Sequence, residues 1–456
     1  MATRGPLQNV REHINKAAEQ RYSNALASED HAIHSWYRFV LSYPPHLVRK
    51  YLKTFEVPKR AIVLDPFCGT GTTLVEVQTH GFTGIGIDAH PFAAFVSKVK
   101  THWSISLPEL VRLRTKLLAK VESDYQAHGL HVASLRQLLF VKEGIDYPAL
   151  SAEQESLIPT GFVSAVPLRK LLLLRDSIRT ACSQSSAEAE EFFLLALCHT
   201  VAHGAGNFAF GPEIYRTKPK EDYDVLGHFA EQTRNMLADL EGVAASRADY
   251  MESQVVCKDS RDCSFLPDGI DAVITSPPYP NEKDYTRTTR VESVLMGLIR
   301  RKEELRSLKE SLLRSNTRNV FVNDDDGKEI EEFRAIRDVC KQIEERRLEL
   351  GKTSGFERLY HKVVAHYFGG MRRHLRTLRP HLAKHAKLAY VVGDQLSFLM
   401  VPVYTATLLA EIAEAEGYKV LGIDLWRERI GTKVRNARQG ERTVRVREEV
   451  LLLEQV

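Results

Sequence analysis

Residues 61–72 read AIVLDPFCGTGT, and the fold follows from them. The apolar run Ala61 to Leu64 ends in Asp65 and a glycine-rich turn, after which Thr72 to Thr79 is helix-compatible. That order is strand, loop, helix. A second apolar run, Phe82 to Ile87, stops at Asp88, and Pro91 opens another helix to about Lys100. Two successive strand–helix pairs dictate a parallel sheet with right-handed crossovers, so the fold class is α/β. Gly69 and Gly71 allow backbone to approach a ligand at the carboxyl edge of that sheet, and Asp88 ends the next strand where ribose hydroxyls are commonly bound. The loop is not a phosphate-cradling Walker loop, because no GxxxxGK[ST] occurs; Gly351-Lys352-Thr353 lacks the earlier glycine. Nor is it a complete dinucleotide fingerprint, since Leu74 stands at the third glycine position. Taken alone, the turn is compatible with a ligand loop or with a plain tight turn.

Sheet signals then pause. Residues 104–250 carry apolar positions at three- and four-residue spacing in LPELVRLRTKLLAKV, LRKLLLLRDSIRTA, EEFFLLALCHTVAH and HFAEQTRNMLADLEGV, which predicts a helical insertion. Strand patterns resume at Gln254 to Cys257 and at Asp271 to Thr275. Residues 287–314 and 329–350 are charged and punctuated by Leu and Ile, which predicts an antiparallel helical pair joined by the polar turn 323–327. The remainder alternates again: helix 356–378, strand Lys387 to Val392, helix Val403 to Glu416, then strands Tyr418 to Leu425 and Thr443 to Leu453 with no helix between them. Such a pair predicts an antiparallel hairpin at the edge of a mostly parallel sheet. The expected organisation is an extension at 1–30, a catalytic domain from 31–103, 251–286 and 356–456, a helical insertion at 104–250 as candidate target-recognition region, and a helical arm at 287–355.

The second chemical signal is Thr275-Ser276-Pro277-Pro278-Tyr279, which follows a strand. Two prolines remove backbone donors and fix φ, so neighbouring carbonyls and the Ser276 hydroxyl form a rigid set of acceptors. An exocyclic amine on an aromatic base is a poor nucleophile because its lone pair is delocalised. Hydrogen bonds from its N–H groups to Ser276 and the Pro277 carbonyl favour a pyramidal nitrogen able to attack a sulfonium methyl. Tyr279 offers a stacking face for a base turned out of a duplex.

With DPFCGTGT as cofactor loop and TSPPY as catalytic motif, the chain resembles the amino-methyltransferases of DNA. LSYPPHL at 41–47, VCKDSRD at 256–262, YPNEKDYTR at 279–287 and YVVGD at 390–394 strengthen the likeness. The resemblance implies a class I, Rossmann-like methyltransferase domain that uses S-adenosylmethionine. It implies cofactor-binding roles for Tyr43, Pro44, Asp65, Phe67, Cys68, Gly69, Thr70, Gly71, Asp88, Asp259 and Ser260. It implies catalytic roles for Ser276, Pro277, Pro278 and Tyr279. Serine before the two prolines is typical of the cytosine-N4 members, and Asp or Asn of the adenine-N6 members. DNA is the implied partner, with a cognate nuclease in a restriction-modification setting. Asn281, Asp284 and Arg287 follow the catalytic motif closely enough to line its pocket. The motifs cover about half the chain.

Composition narrows the field. No apolar run reaches the roughly 18 residues of a membrane span; the best, Phe192 to Ala202, is interrupted by His199. The start of the chain has no apolar leader, so a cytoplasmic location is expected. Six scattered cysteines without a CxxC pair predict reduced thiols and no zinc site. A formal charge of +4 describes a balanced surface, but two local basic tracts, Arg358 to Lys387 and Arg427 to Arg447, suit phosphate, with Arg435 and Arg438 as candidate contacts. No Pro-Cys dipeptide exists, which excludes a cytosine-C5 enzyme. Adenine-N6 methylation, an RNA amino-methyltransferase and a catalytically idle binding subunit remain as alternatives.

Overall fold

The computed structural model describes residues 26–39, 42–132, 147–211, 213–246, 250–281, 283–436 and 440–456, and no side chain between 429 and 445. Seven strands form the main sheet: β1 (Ile62–Asp65), β2 (Thr83–Ile87), β5 (Gln254–Val256), β6 (Ile270–Thr275), β7 (Leu382–Gly393), β8 (Tyr418–Asn436) and β9 (Gly440–Gln455). Two short strands, β3 (Phe208–Phe210) and β4 (Ile214–Arg216), make a separate antiparallel ribbon. The main order is β5-β2-β1-β6-β7-β9-β8. Pairing is parallel from β5 through β7 and antiparallel at β7–β9 and β9–β8. The hairpin therefore exists as expected, with β9 placed between β7 and β8. This is a Rossmann-like, mostly parallel α/β sheet closed by an antiparallel hairpin.

Alternation along the central strands decides which helix covers which face. Val63, Ala272, Ile274, Ala389 and Val391 pack with α1 (Pro45–Thr54) through Leu47, Val48 and Tyr51. Leu64, Val273, Leu388 and Tyr390 join the opposite core, which includes Val364, Phe368 and Met371. Those three lie on α13 (Tyr360–Leu378). Both faces are covered, as a buried parallel sheet requires. Between β1 and β2 runs α2 (Thr72–Thr79), and after β2 comes α3 (Pro91–Thr101).

Residues 104–250 form the expected helices: α4 (Leu107–Ala127), α5 (Ala152–Leu157), α6 (Ala165–Cys182), α7 (Ala187–Thr200) and α8 (Val225–Ser246). They share one apolar core with Phe92, Val96 and Val99 of α3, so the insertion is welded to the sheet domain. Inside it, fully buried Lys170 meets Asp222 at 2.7 Å and donates to the Tyr223 carbonyl at 3.0 Å. Breaking one side of such a pair is costly. Among the described residues no helix is long and apolar enough to cross a membrane.

The expected antiparallel pair at 287–350 does not form. Its first half breaks into α9 (Tyr285–Thr288), α10 (Arg290–Met296) and α11 (Lys302–Ser311), with Gly297 in the left-handed region (φ 75°) closing α10. The second half, α12 (Arg334–Glu349), shares a core with α13 through Ile336 and Ile343. The polar turn 323–327 is no solvated joint either. Asp326 is fully buried, with Arg261 at 2.6 Å and Arg373 at 3.2 Å, and its backbone sits where a side chain on Gly369 would stand. The basic tract on α13 is likewise spoken for. Arg372 pairs with Glu332 and Glu416, Arg373 with Asp325 and Glu329, and Arg376 with Glu329 and Glu416. Acids distant in sequence neutralise what reads locally as a phosphate surface.

Candidate active site

A cleft opens at the carboxyl edge of the sheet, with a cavity volume of about 220 Å³. Its first wall is the turn between β1 and α2. The Cys68 amide donates to Ile87 at 2.9 Å, tying the turn to β2, and the Gly71 amide donates to Cys68 at 2.8 Å. Gly69 and Gly71 take φ of 50° and 83°. At Gly71 a Cβ would stand 2.9 Å from Ser97 Oγ and 3.2 Å from its Cα, so helix α3 can approach only because the position is glycine. Ser97 in turn donates to the Gly69 carbonyl at 2.9 Å.

Asp88 completes this wall. One carboxylate oxygen accepts from the Gly69 amide at 2.9 Å and the other from the His90 amide at 2.8 Å. Burial, reinforced by nearby Asp65, pushes its carboxyl up to about 6. The ionised form is the stronger acceptor for hydroxyl donors, and with a pKa raised to about 6 that form is lost as pH falls through this value. Affinity for a ribose-bearing ligand is therefore expected to be full above that value and to fall as pH drops through it. Calorimetric titration of S-adenosylmethionine between pH 5 and 8 checks this, and Asp88→Asn should flatten the profile.

Asp65 occupies a different place from the one expected. It lies fully buried beneath the cleft, not on its wall, and accepts from Thr275 Oγ1 at 2.6 Å, Tyr43 Oη at 2.8 Å and the Phe67 amide at 3.1 Å. Burial raises its carboxyl pKa. One carboxylate thus joins the loop, the catalytic motif and the segment carrying Tyr43. Gly71 and Pro44 are also absent from the wall, whereas Tyr43, Phe67, Cys68, Gly69, Thr70, Asp88, Asp259 and Ser260 all line it. Asp259 is held by a side-on pair with Arg261, Nη2 to Oδ2 at 2.7 Å and Nε to Oδ1 at 3.1 Å. Ser260 is buried and donates to the Pro66 carbonyl.

Ser276, Pro277, Pro278 and Tyr279 line the same cleft. Ser276 Oγ donates to the Val391 carbonyl of β7 at 3.1 Å and lies 3.4 Å from Tyr279 Oη. The Val391 carbonyl or Tyr279 Oη takes its one proton, and its lone pairs remain as acceptors. The Tyr279 ring rests against Gly393, where an added Cβ would come within 3.1 Å of it.

Of the residues after the motif, Asn281 lines the cleft while Asp284 and Arg287 do not. Asp284 is buried as the N-cap of α9 and meets Lys309 at 3.0 Å. A carboxylate that caps a helix and pairs with a lysine has no need of a ligand. Arg438 and the side chain of Arg435 fall outside the described residues. The ends of their tract are neutralised across the hairpin, Arg427 by Glu448 and Arg447 by Glu428.

Sequence reasoning missed several wall residues. Trp426, Arg427 and Glu448 reach the cleft from the hairpin, and Leu312 and Leu313 from the segment after α11. His90 also lines it; its Nδ1 accepts from the Phe92 amide and its Nε2 stands 3.1 Å from Thr289 Oγ1, which ties the start of α3 to the junction of α9 and α10. Burial, then Arg290, lowers its pKa to about 4, so it is neutral at pH 7. The one available signal was position: His90 follows the strand-end acid by two residues.

A family model described as DNA methylase, N6_N4_Mtase, matches residues 8–98. The Type II methyltransferase M.BsoBI of Geobacillus stearothermophilus is 26% identical over 64% of this chain and 58% of its own length. The Type II methyltransferase M.MvaI of Kocuria varians is 23% identical over 64% of each chain. The Type II methyltransferase M.AvaI of Anabaena variabilis is 20% identical over 89% of this chain and 86% of its own. The chain thus spans about three fifths of the first two relatives. The family model matches the stretch that carries the Gly69 turn and Asp88, and these relatives add to the chain's similarity to DNA amino-methyltransferases.

Proposed function

We propose that this chain is an S-adenosylmethionine-dependent DNA methyltransferase that modifies the exocyclic N4 amine of cytosine. The carrying observation is the Ser276-Pro277-Pro278-Tyr279 lining of the cleft, where Ser276 Oγ, within reach of the Val391 carbonyl and Tyr279 Oη, keeps lone pairs as acceptors beside Pro277. The wall at Asp88 and the Gly69 turn fits the cofactor. It offers the carboxylate of Asp88 and the hydroxyls of Ser42 and Thr70, and no Lys or Arg stands among Phe67 to Ala93 of the lining. Such a wall disfavours phosphates and suits a cationic nucleoside. S-adenosylmethionine, when bound, supplies an electrophilic methyl group.

The chain's own part is acceptance and placement. Ser276 Oγ and the Pro277 carbonyl take the two N–H bonds of the target amine, which localises the nitrogen lone pair. Tyr279, braced by Gly393, stacks on the everted base. Bringing the nitrogen to the methyl donor in fixed orientation is then the main contribution to rate. The names of the relatives support a restriction-modification setting, with a cognate nuclease as partner. Digested DNA from cells expressing the wild type and Ser276→Ala decides the assignment by mass spectrometry. N4-methylcytosine present only with the wild type is expected. N6-methyladenine in its place would overturn the base, and methyl groups confined to RNA would overturn the DNA substrate.

A further inference from the structure

The hairpin side of the sheet carries a row of side chains that begins at the catalytic motif. In antiparallel pairing, residues directly opposite one another point to the same face. Gly393 of β7 is opposed by Glu448 of β9, and Glu448 in turn by Arg427 of β8. Where Gly393 would carry a side chain the Tyr279 ring stands, 3.1 Å from the place of the missing Cβ. Tyr279, Glu448 and Arg427 therefore follow one another across a single face, and all three line the cleft.

Arg427 is gripped along one edge only. Its Nε donates to Glu448 Oε2, and its Nη2 donates to Glu448 Oε1 at 2.7 Å. Glu448 is buried, whereas the Arg427 side chain keeps 27% of its surface exposed. Nη1 has no hydrogen-bond partner among the described residues. The edge formed by Nη1 and the second proton of Nη2 thus offers two parallel donors in a fixed plane. The hydrogen bond to Glu448 raises the Arg427 pKa against the effect of burial, and Tyr279 adds in the same direction, so the cation sits within electrostatic reach of that ring.

We propose that Arg427 selects cytosine over adenine, its unused edge donating to N3 and O2 of the everted base while Ser276 and Pro277 hold the amine. This rests on the cytosine-N4 reading above. With the amine of either base at Ser276, the next two positions along the pairing edge differ in chemistry. Cytosine presents two acceptors, N3 and O2, whereas adenine presents N1 and then a C–H. Two parallel donors match the first base and leave one donor unpaired against the second, which an enclosed site penalises. Thymine and guanine carry an N–H at the ring nitrogen and meet the cation with a donor.

The full chain is tested on a synthetic duplex carrying a site methylated in expressing cells, with the target either cytosine or 3-deazacytosine, which keeps the amine and O2 but has C–H in place of N3. The analogue also differs in intrinsic reactivity, so the measure is the cytosine-to-analogue ratio of kcat/KM, wild type against variant. Arg427→Met should lower that ratio by about 10- to 150-fold, the scale of one hydrogen bond to a charged group. Because this change leaves Glu448 buried and unpaired by Arg427, Arg427→Met/Glu448→Leu is measured beside it, with urea unfolding as the check of the fold. An unchanged ratio in a folded variant overturns the proposal. With the ratio intact, a salt slope reduced by about 0.9 would assign Arg427 to a phosphate, and weaker S-adenosylmethionine binding would assign it to the cofactor. N4-methylcytosine as the wild-type product with an unchanged ratio overturns this inference alone, whereas N6-methyladenine overturns it together with the cytosine reading.

Discussion

Ser276→Ala is expected to lower kcat by about 10²- to 10³-fold, the scale of losing one preorganised hydrogen-bonding group in an enclosed site. S-adenosylmethionine affinity should stay near the wild-type value, because Ser276 bonds neither Asp88 nor the Gly69 turn. Single-turnover assays separate the chemical step from product release, and calorimetry reports the affinity. A variant that keeps more than a tenth of the wild-type single-turnover rate would remove Ser276 from the chemistry. Equal losses in rate and cofactor affinity would instead point to a distorted sheet edge, since the same hydroxyl bonds Val391.

Asp65→Ala should cost about 3 to 5 kcal/mol of stability. It takes their common acceptor from Thr275 Oγ1, Tyr43 Oη and the Phe67 amide in a buried place; Tyr43 Oη keeps Thr73 Oγ1, and each of the other two donors, once orphaned, costs on the order of 1 to 3 kcal/mol. Asp65→Asn keeps one acceptor oxygen and should lose less. Urea unfolding at constant m value measures both. A loss below about 1 kcal/mol for Asp65→Ala would show that the three donors find other partners.

That prediction differs from the one the sequence suggests, and the difference is instructive. An acid after an apolar run marks a strand end, and both Asp65 and Asp88 carry that mark. What the pattern does not carry is lateral position. Both β1 and β2 lie inside the sheet, yet Asp65 is enclosed by Thr275 from β6 and by Tyr43, whereas Asp88 lines the cleft. The first two strand–helix pairs and the Ser276 motif were legible because apolar runs, glycines and prolines act within a few residues. Charge was not, since Asp326 and Arg373 lie 47 positions apart and neutralise each other. Likewise Trp426 and Arg427 reach the cleft through pairing of β8 with β9, which no local spacing reveals. The ribbon of β3 and β4 was hidden for another reason: three-residue strands among glycines read as loop.

The position of β9 between β7 and β8 has a consequence for the order of assembly. During synthesis β8 leaves the ribosome first, yet its strand partner in the sheet is β9, so it has no edge to join until Gly440–Gln455 has followed. Until then β7 presents an unpaired edge and the cleft lacks the roof supplied by Trp426, Arg427 and Glu448. A nascent chain can thus build both the Gly69 turn with Asp88 and the Ser276 motif while still unable to enclose a base, and competence arrives in one step with the last strand.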